Sequence, residues 1–174
     1  MYGIGVFLRR AAGSALVLCL LIALLVPAAA APAVSAASAA LYCPATGEFL
    51  FAQNADARRG MASTTKIMTA LVAIERGDAD AEVVIPAAAV GVEGSSLYLK
   101  AGEKMTLRNL LYGLLLQSAN DAAEAIAITV GGSVEGFSDL MNEKATALGL
   151  TDTHFTNPHG LADENHYTTA RELA

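Results

Sequence analysis

The spacing of apolar residues changes several times along the chain, and its first part predicts strands. Ala39–Cys43 and Glu48–Gln53 are short runs with strand character, and Pro44-Ala45-Thr46-Gly47 between them has the composition of a turn. The two runs therefore predict a hairpin. Glu82–Ile85 predicts a further short strand, which Pro86 ends because proline cannot donate to a strand ladder.

Helical spacing predicts four helices and the start of a fifth. Gly77 ends the first helix, and Thr106 caps the second. Thr169 and Glu172 have the spacing of a capping box, which predicts a helix start there. The four complete helices are Ser63–Glu75, Leu107–Leu116, Asp121–Val130 and Val134–Leu148.

The first helix is expected to be buried on most sides, because apolar side chains surround it. They are Ile67, Met68, Leu71, Val72 and Ile74. Helices and strands that alternate in this way indicate one α/β domain, and 174 residues are enough to give it a core of its own.

Acidic residues outnumber basic ones by 17 to 11, which gives a formal charge of −6. Arg9 and Arg10 lie in an N-terminal stretch without acids, so nine basic against 17 acidic residues leave −8 for the remainder. This charge argues against nucleic acid or an anionic membrane surface as a partner. It does not exclude a small anionic substrate, which local groups would bind.

Residues 1–36 have the regions of an export signal. Arg9 and Arg10 are basic, Ser14–Val26 is apolar, and Val34-Ser35-Ala36 offers a cleavage site. The apolar stretch is short for a membrane span, which needs about 20 residues, and an uncleaved anchor is the alternative. We expect an exported protein in the cell envelope, at the outer face of the cytoplasmic membrane or in the periplasm. After cleavage Cys43 is the single cysteine, which excludes a disulfide framework.

Ser63 and Lys66 are the first candidate catalytic residues. They lie three apart at a helix start, so the amine can reach the hydroxyl on one helix face and make it nucleophilic without histidine. The spacing alone is weak evidence, because ordinary residue frequencies give a chain of this size a Ser-x-x-Lys roughly half the time. Burial and the positive end of the helix predict a pKa of Lys66 below its usual value of about 10.4.

A second polar pair, Ser118 and Asn120, lies at the junction of the second and third helices. Two such side chains can both point into one cleft. The simpler alternative is that Asn120 caps the third helix and Ser118 is an ordinary junction residue. The presence of Ser63 and Lys66 upstream favours the cleft.

These motifs together resemble the serine-type D-alanyl-D-alanine carboxypeptidases, which are low-molecular-weight penicillin-binding proteins of the β-lactamase/DD-peptidase superfamily. The resemblance extends from about Ala39 to the last residue. The third motif of the family, Lys-Thr-Gly, is absent, so the sequence resembles the N-terminal part of such an enzyme. Four segments carry the resemblance: Ala62–Ala70, Glu93–Leu97, Ser118–Ala122 and Asn157–Leu161.

The resemblance implies an α/β fold of the β-lactamase/DD-peptidase type, with an antiparallel sheet flanked by helices, truncated before the C-terminal strands. Residues 37–174 are then the N-terminal part of the catalytic domain. The implied substrate is a peptidoglycan stem peptide that ends in D-Ala-D-Ala, and β-lactam antibiotics are implied acylating inhibitors. No cofactor, metal or nucleic acid is expected.

The resemblance also implies a role for each candidate residue. Ser63 attacks the carbonyl between the two D-alanines, the terminal D-alanine leaves, and water hydrolyses the acyl-enzyme. Lys66 is the base, and Ser118 relays a proton to the leaving amine. Asn120 donates its side-chain amide to the peptide carbonyl of the substrate, and the backbone N–H of Ser63 is one oxyanion donor.

In the family, the second oxyanion donor and the group that binds the substrate carboxylate belong to the region around the third motif. Losing one oxyanion donor typically costs about 10²–10³ in rate. We therefore expect the chain as written to be impaired. A non-catalytic truncated remnant or a partial gene product is the main alternative.

Two further interpretations have less support. A class A β-lactamase uses similar motifs, but Ala119 stands where it has aspartate, and Thr151–Asn157 has no glutamate that could serve as deacylation base. A metal-binding module would use loop residues whose spacing matches no zinc signature, so ordinary hydrogen-bonded histidines are expected instead. Those residues are His154, His159, Asp163 and His166.

Overall fold

The computed structural model describes residues 32–174, so nearly all of the predicted signal peptide at 1–36 lies outside the described residues. Strands β1 (Ala39–Cys43) and β2 (Glu48–Gln53) form an antiparallel hairpin with the predicted bounds. Ala39 pairs with Gln53, and the register shifts between Leu41 and Tyr42. Both predicted strands of the hairpin are confirmed.

A second antiparallel pair joins β3 (Glu82–Val84) to β4 (Lys104–Thr106). The sequence predicted β3 but not β4. Three residues are too few to show an alternating pattern, and Lys104–Thr106 becomes a strand only because Met105 pairs with Val83.

Within residues 32–174, five α-helices follow the predicted order. Thr106 and Thr169 cap their helices through the side-chain oxygen, as expected from the sequence. A short 3-10 turn at Ala62–Thr64 precedes the first α-helix, which therefore begins two residues after the predicted start. The helices are α1 (Thr65–Arg76), α2 (Leu107–Leu116), α3 (Asn120–Gly131), α4 (Val134–Ala147) and α5 (Ala170–Leu173).

Helix α3 lies at the centre of the core and contacts α1, α2 and α4. Its buried faces consist mainly of alanine, which lets the neighbouring helices approach closely. Larger side chains from the surrounding helices, such as Leu110, Leu114, Phe137 and Met141, complete the core. Helix α3 thereby packs against α1, which carries Lys66 and follows directly on the 3-10 turn that contains Ser63.

The prediction that α1 is buried on most sides by its apolar residues was wrong for two of them. Ile67 and Ile74 are each 61% exposed, whereas Lys66 and Thr69 are buried. The polar side chains face inward because they hydrogen-bond to the turn at residues 157–160, and this fixes the rotation of the helix. The rotation of α1 is therefore set by its buried polar side chains, which have hydrogen-bond partners, and not by its apolar pattern.

The segment after α4 returns to the start of the domain. Thr168 forms an antiparallel bridge with Arg59, and Tyr167 forms one with His154. These bridges place residues 154–168 beside the 3-10 turn that carries Ser63. Among residues 32–174, no helix is long and apolar enough to cross a membrane.

Candidate active site

Ser63 and Lys66 face each other at the N-terminal end of α1. The Nζ atom of Lys66 donates to Ser63 Oγ at 3.2 Å and to the carbonyl oxygen of His159 at 2.8 Å. Ser63 itself is exposed to solvent. The spacing of three residues therefore brings an amine within hydrogen-bond distance of an accessible hydroxyl, as predicted.

Lys66 is buried, with only 3% of its surface exposed. Burial disfavours the charged amine and lowers the pKa of Lys66 below its usual value. This agrees with the direction that the sequence predicted. Within the described part of the chain no carboxylate forms an ion pair with this amine. A base that accepts the serine proton needs this environment, because a carboxylate partner would favour its charged form.

A tight turn at residues 157–160 closes one side of the site. Asn157 Oδ1 accepts from the backbone N–H of Gly160 at 2.7 Å and from that of His159 at 3.3 Å. Thr69 Oγ1 donates to the carbonyl of Pro158 at 2.6 Å. The turn is thus fastened to the polar face of α1, and it presents the His159 carbonyl to Lys66.

Ser118 and Asn120 lie at the start of α3, and both stay predictions as site residues. Ser118 is half-buried, has a left-handed φ of 54° and makes no direct hydrogen bond to Ser63 or Lys66 among residues 32–174. Asn120 Nδ2 donates to the Glu93 carbonyl at 2.6 Å, which leaves its second amide hydrogen for another acceptor. The cap residue of α3 is Ala119, not Asn120, so the simpler alternative for Asn120 is wrong.

Asp121 holds the loop that packs against Asn120. Its buried carboxylate accepts from Ser96 Oγ at 2.7 Å and from the backbone N–H groups of Leu97, Leu99 and Ala122 at 2.9–3.1 Å. Burial raises the pKa of Asp121, but the hydrogen bonds from these donors outweigh it, and the net pKa lies below the usual value. The carboxylate therefore stays ionised and fixes the Glu93–Leu99 segment beside the site.

Two buried histidines connect the segment of residues 154–168 to the helices of the site. His159 Nε2 lies 3.0 Å from Glu124 Oε1 on α3, and His166 Nε2 lies 2.7 Å from Thr65 Oγ1 on α1. Burial, reinforced by the neighbouring His159, lowers the pKa of His166 to about 4, so this ring is neutral at pH 7. The sequence predicted ordinary hydrogen bonds for these histidines, which the structure confirms.

No pattern in the sequence predicts which residues hydrogen-bond to these histidines. Glu124 and His159 are 35 residues apart, and Thr65 and His166 are 101 apart. The only signal was the presence of His159 within the segment Asn157–Leu161, one of the four that carry the family resemblance. Across residues 32–174 no three His, Cys, Asp or Glu side chains are grouped in a way that could hold a metal ion.

Comparison with known proteins gives the family. The D-alanyl-D-alanine carboxypeptidase family model matches residues 26–174. The D-alanyl-D-alanine carboxypeptidase DacF of Bacillus subtilis is 40% identical over 144 residues, which are 80% of this chain and 37% of the relative. A D-alanyl-D-alanine carboxypeptidase of Streptomyces sp. strain K15 is 41% identical over 140 residues, 74% of this chain and 48% of the relative.

The fold agrees with this assignment. The crystal structure of the D-alanyl-D-alanine carboxypeptidase DacD from Francisella tularensis superimposes with a TM-score of 0.79 and 40% identity, over 83% of this chain and 36% of that one. The expected DD-peptidase type of α/β fold is therefore confirmed for the part that the chain covers. The chain spans less than half the length of these relatives, between 36% and 48%. It belongs to the D-alanyl-D-alanine carboxypeptidase family.

Proposed function

We propose that this chain supplies the nucleophile and base of a serine D-Ala-D-Ala carboxypeptidase that acts on peptidoglycan stem peptides. Ser63 attacks the carbonyl between the two D-alanines while its proton passes to Lys66. The C–N bond breaks, the terminal D-alanine leaves as an amine that takes up a proton, and the acyl group stays on Ser63 Oγ. Water then hydrolyses the ester and regenerates Ser63.

One observation carries the proposal. The amine of Lys66 lies 3.2 Å from Ser63 Oγ, is buried, and has a lowered pKa. A nucleophile and a base within hydrogen-bond distance, with the base oriented by a third group, are the features expected of an activated serine. The third group here is the His159 carbonyl.

The remaining roles are part of the same proposal. Ser118 relays the proton to the leaving amine, and Asn120 donates its remaining amide hydrogen to the peptide carbonyl of the substrate. The backbone N–H of Ser63 is one donor to the developing oxyanion. The position of Asn120 supports this assignment, because the loop at Glu93 leaves one hydrogen of the amide unoccupied.

A fluorescent penicillin tests the proposal, since β-lactams acylate the serine of such enzymes. We expect a covalent label on Ser63 that Ser63→Ala abolishes, and a much slower label in Lys66→Ala with an unchanged circular dichroism spectrum. Release of D-alanine from a D-Ala-D-Ala peptide, with slow hydrolysis of the bound penicillin, separates a carboxypeptidase from a β-lactamase. A label that persists in Ser63→Ala would contradict the assignment of the nucleophile.

We also propose that the protein is exported and acts on the cell wall outside the cytoplasm, where trimming of stem peptides would influence cell shape. The basic, apolar and small-residue regions of residues 1–36 support this. The test is the N-terminal sequence of the mature protein after cell fractionation. A cytoplasmic protein that retains Met1 would contradict export.

A further inference from the structure

The carbonyl oxygen of His159 is one of two acceptors that orient the amine of Lys66. At 2.8 Å this hydrogen bond is shorter than the one to Ser63 Oγ at 3.2 Å. When one N–H bond points at the His159 carbonyl, the tetrahedral amine can rotate only about that bond. The position of the carbonyl therefore limits how the amine is oriented toward Ser63. Any group that fixes residue 159 therefore also fixes the direction of the base.

The His159 side chain is held at both ring nitrogens. Nδ1 accepts from the backbone N–H of Leu161 at 3.1 Å, so the ring hydrogen must be on Nε2. That Nε2–H group donates to Glu124 Oε1 at 3.0 Å. The side chains of His159 and Glu124 are only 8% and 14% exposed. Water therefore competes little for this hydrogen bond.

Glu124 connects the two candidate motifs. It lies on α3 four residues after Asn120, so the two side chains are on the same face of that helix. Among the described residues, the Glu124 carboxylate accepts a single hydrogen bond, the one from His159. The link from α3 through Glu124 and His159 to Lys66 is continuous, and no other side chain of α3 hydrogen-bonds to the turn at residues 157–160 within the described range.

We propose that Glu124 is a positioning residue for Lys66. By holding the His159 ring it keeps the His159 carbonyl where it directs the amine of Lys66 toward Ser63 Oγ. This inference rests on the proposed acyl transfer, and it adds a residue that lies outside the four segments that carry the family resemblance. A substitution that removes the acceptor oxygen at position 124 would leave the buried Nε2–H of His159 unpaired. The His159 ring and backbone would then move until the Nε2–H reached another acceptor.

Three variants and one control test this role. Glu124→Gln keeps an acceptor oxygen at the same reach. Glu124→Val fills the space without an acceptor, and Glu124→Asp keeps the charge but is shorter by one methylene group. Glu135→Gln, at an exposed position in the first turn of α4, is the matched control. The full chain is used throughout.

The first measurement is the concentration dependence of acylation by a fluorescent penicillin, which separates binding from the acylation step. We expect Glu124→Val and Glu124→Asp to slow the acylation step by up to about 100-fold, as misplacement of a reacting group does. Penicillin binding stays unchanged, and Glu124→Gln and Glu135→Gln acylate like the wild type. A purely structural role would instead lower the melting temperature without this selective loss of acylation rate.

The second measurement needs no activity. In protein labelled with ¹³C-lysine, the signals of the four lysines report the surroundings of each amine, and Lys66 is identified by the loss of its signal in Lys66→Met. We expect the Lys66 signal to move in Glu124→Val and Glu124→Asp but not in Glu124→Gln or Glu135→Gln. The signals of Lys100, Lys104 and Lys144 serve as internal references.

The two measurements separate the two hypotheses. A wild-type chain that no penicillin labels, even over the long incubation that an impaired acylation rate requires, would contradict the proposed function, while a Lys66 signal that still follows Glu124 would support the positioning role. A labelled wild type whose Glu124→Val and Glu124→Asp variants acylate at the same rate would overturn the positioning role and leave the function standing. If Glu124→Val does not fold, Glu124→Asp decides by the same criteria.

Discussion

Gly160 lies directly against Ala62, so close that a Cβ atom at position 160 would overlap the Ala62 carbonyl oxygen. Both residues have left-handed backbones, with φ of 89° for Gly160 and 46° for Ala62. Ala62 immediately precedes Ser63, so the turn at residues 157–160 shapes the backbone that carries the serine hydroxyl. Only glycine fits position 160, for steric as well as conformational reasons.

Replacement of Gly160 by alanine is therefore expected to destabilise the protein and displace Ser63. We expect a loss of about 2–5 kcal/mol in the free energy of unfolding, because the left-handed strain adds to the overlap with Ala62. Acylation by penicillin should slow as well. Gly149→Ala is the matched control, since its φ of 77° carries similar strain but open space surrounds the new Cβ. Equal effects of the two substitutions in urea unfolding would show that the contact with Ala62 does not matter.

Acid is expected to destabilise the protein through His166. The pKa of this buried ring falls from 6.5 to about 4 in the folded state, so the unfolded state binds more protons between these values. Stability from this group is complete above pH 6.5 and is lost as the pH falls toward 4, by about 3 kcal/mol at about 1.4 kcal/mol per pH unit. Urea unfolding at a series of pH values measures this. His166→Gln, which does not titrate, should flatten the curve, and an equally steep curve would contradict the assignment.

Lys66 is expected to make the free energy of unfolding depend on pH on the alkaline side. Burial lowers the pKa of Lys66 in the folded state, so the unfolded chain binds more protons below the usual lysine pKa of about 10.4. The free energy of unfolding of the wild type should therefore rise with pH on the alkaline side, relative to Lys66→Met. A constant difference between the two proteins from pH 7 to 10 would show that the folded state leaves the pKa of Lys66 unchanged.

Asp121 is expected to be essential for the loop beside Asn120. In Asp121→Asn the NH2 group of the new amide would face backbone N–H donors that have lost their acceptor. The free energy of unfolding should fall by about 2–4 kcal/mol, because buried donors lose a charged partner. Asp139→Asn, at an exposed position of α4, should change stability by less than about 0.5 kcal/mol. Hydrogen exchange should become faster at Leu97 and Leu99 in the first variant. Unchanged protection there would mean that the loop does not depend on the carboxylate.

The sequence alone determined the elements whose signals are local. The caps at Thr106 and Thr169 and the pairing of Ser63 with Lys66 depend on residues three positions apart, and the β1–β2 hairpin pairs residues at most 14 positions apart. Turn chemistry, capping and the helix repeat act over that range. The family motifs placed these local features in a known order, and the matched family and fold agree with them.

Only the tertiary structure decided how α1 is rotated and what holds Lys66. The apolar pattern predicted that Ile67 and Ile74 are buried, but the hydrogen bonds from Lys66 and Thr69 to the turn at residues 157–160 turn the polar face inward. Those contacts join residues about 90 positions apart. No periodicity within a segment can encode such partners, because the desolvation of a buried polar group is compensated by whichever acceptor the fold brings near.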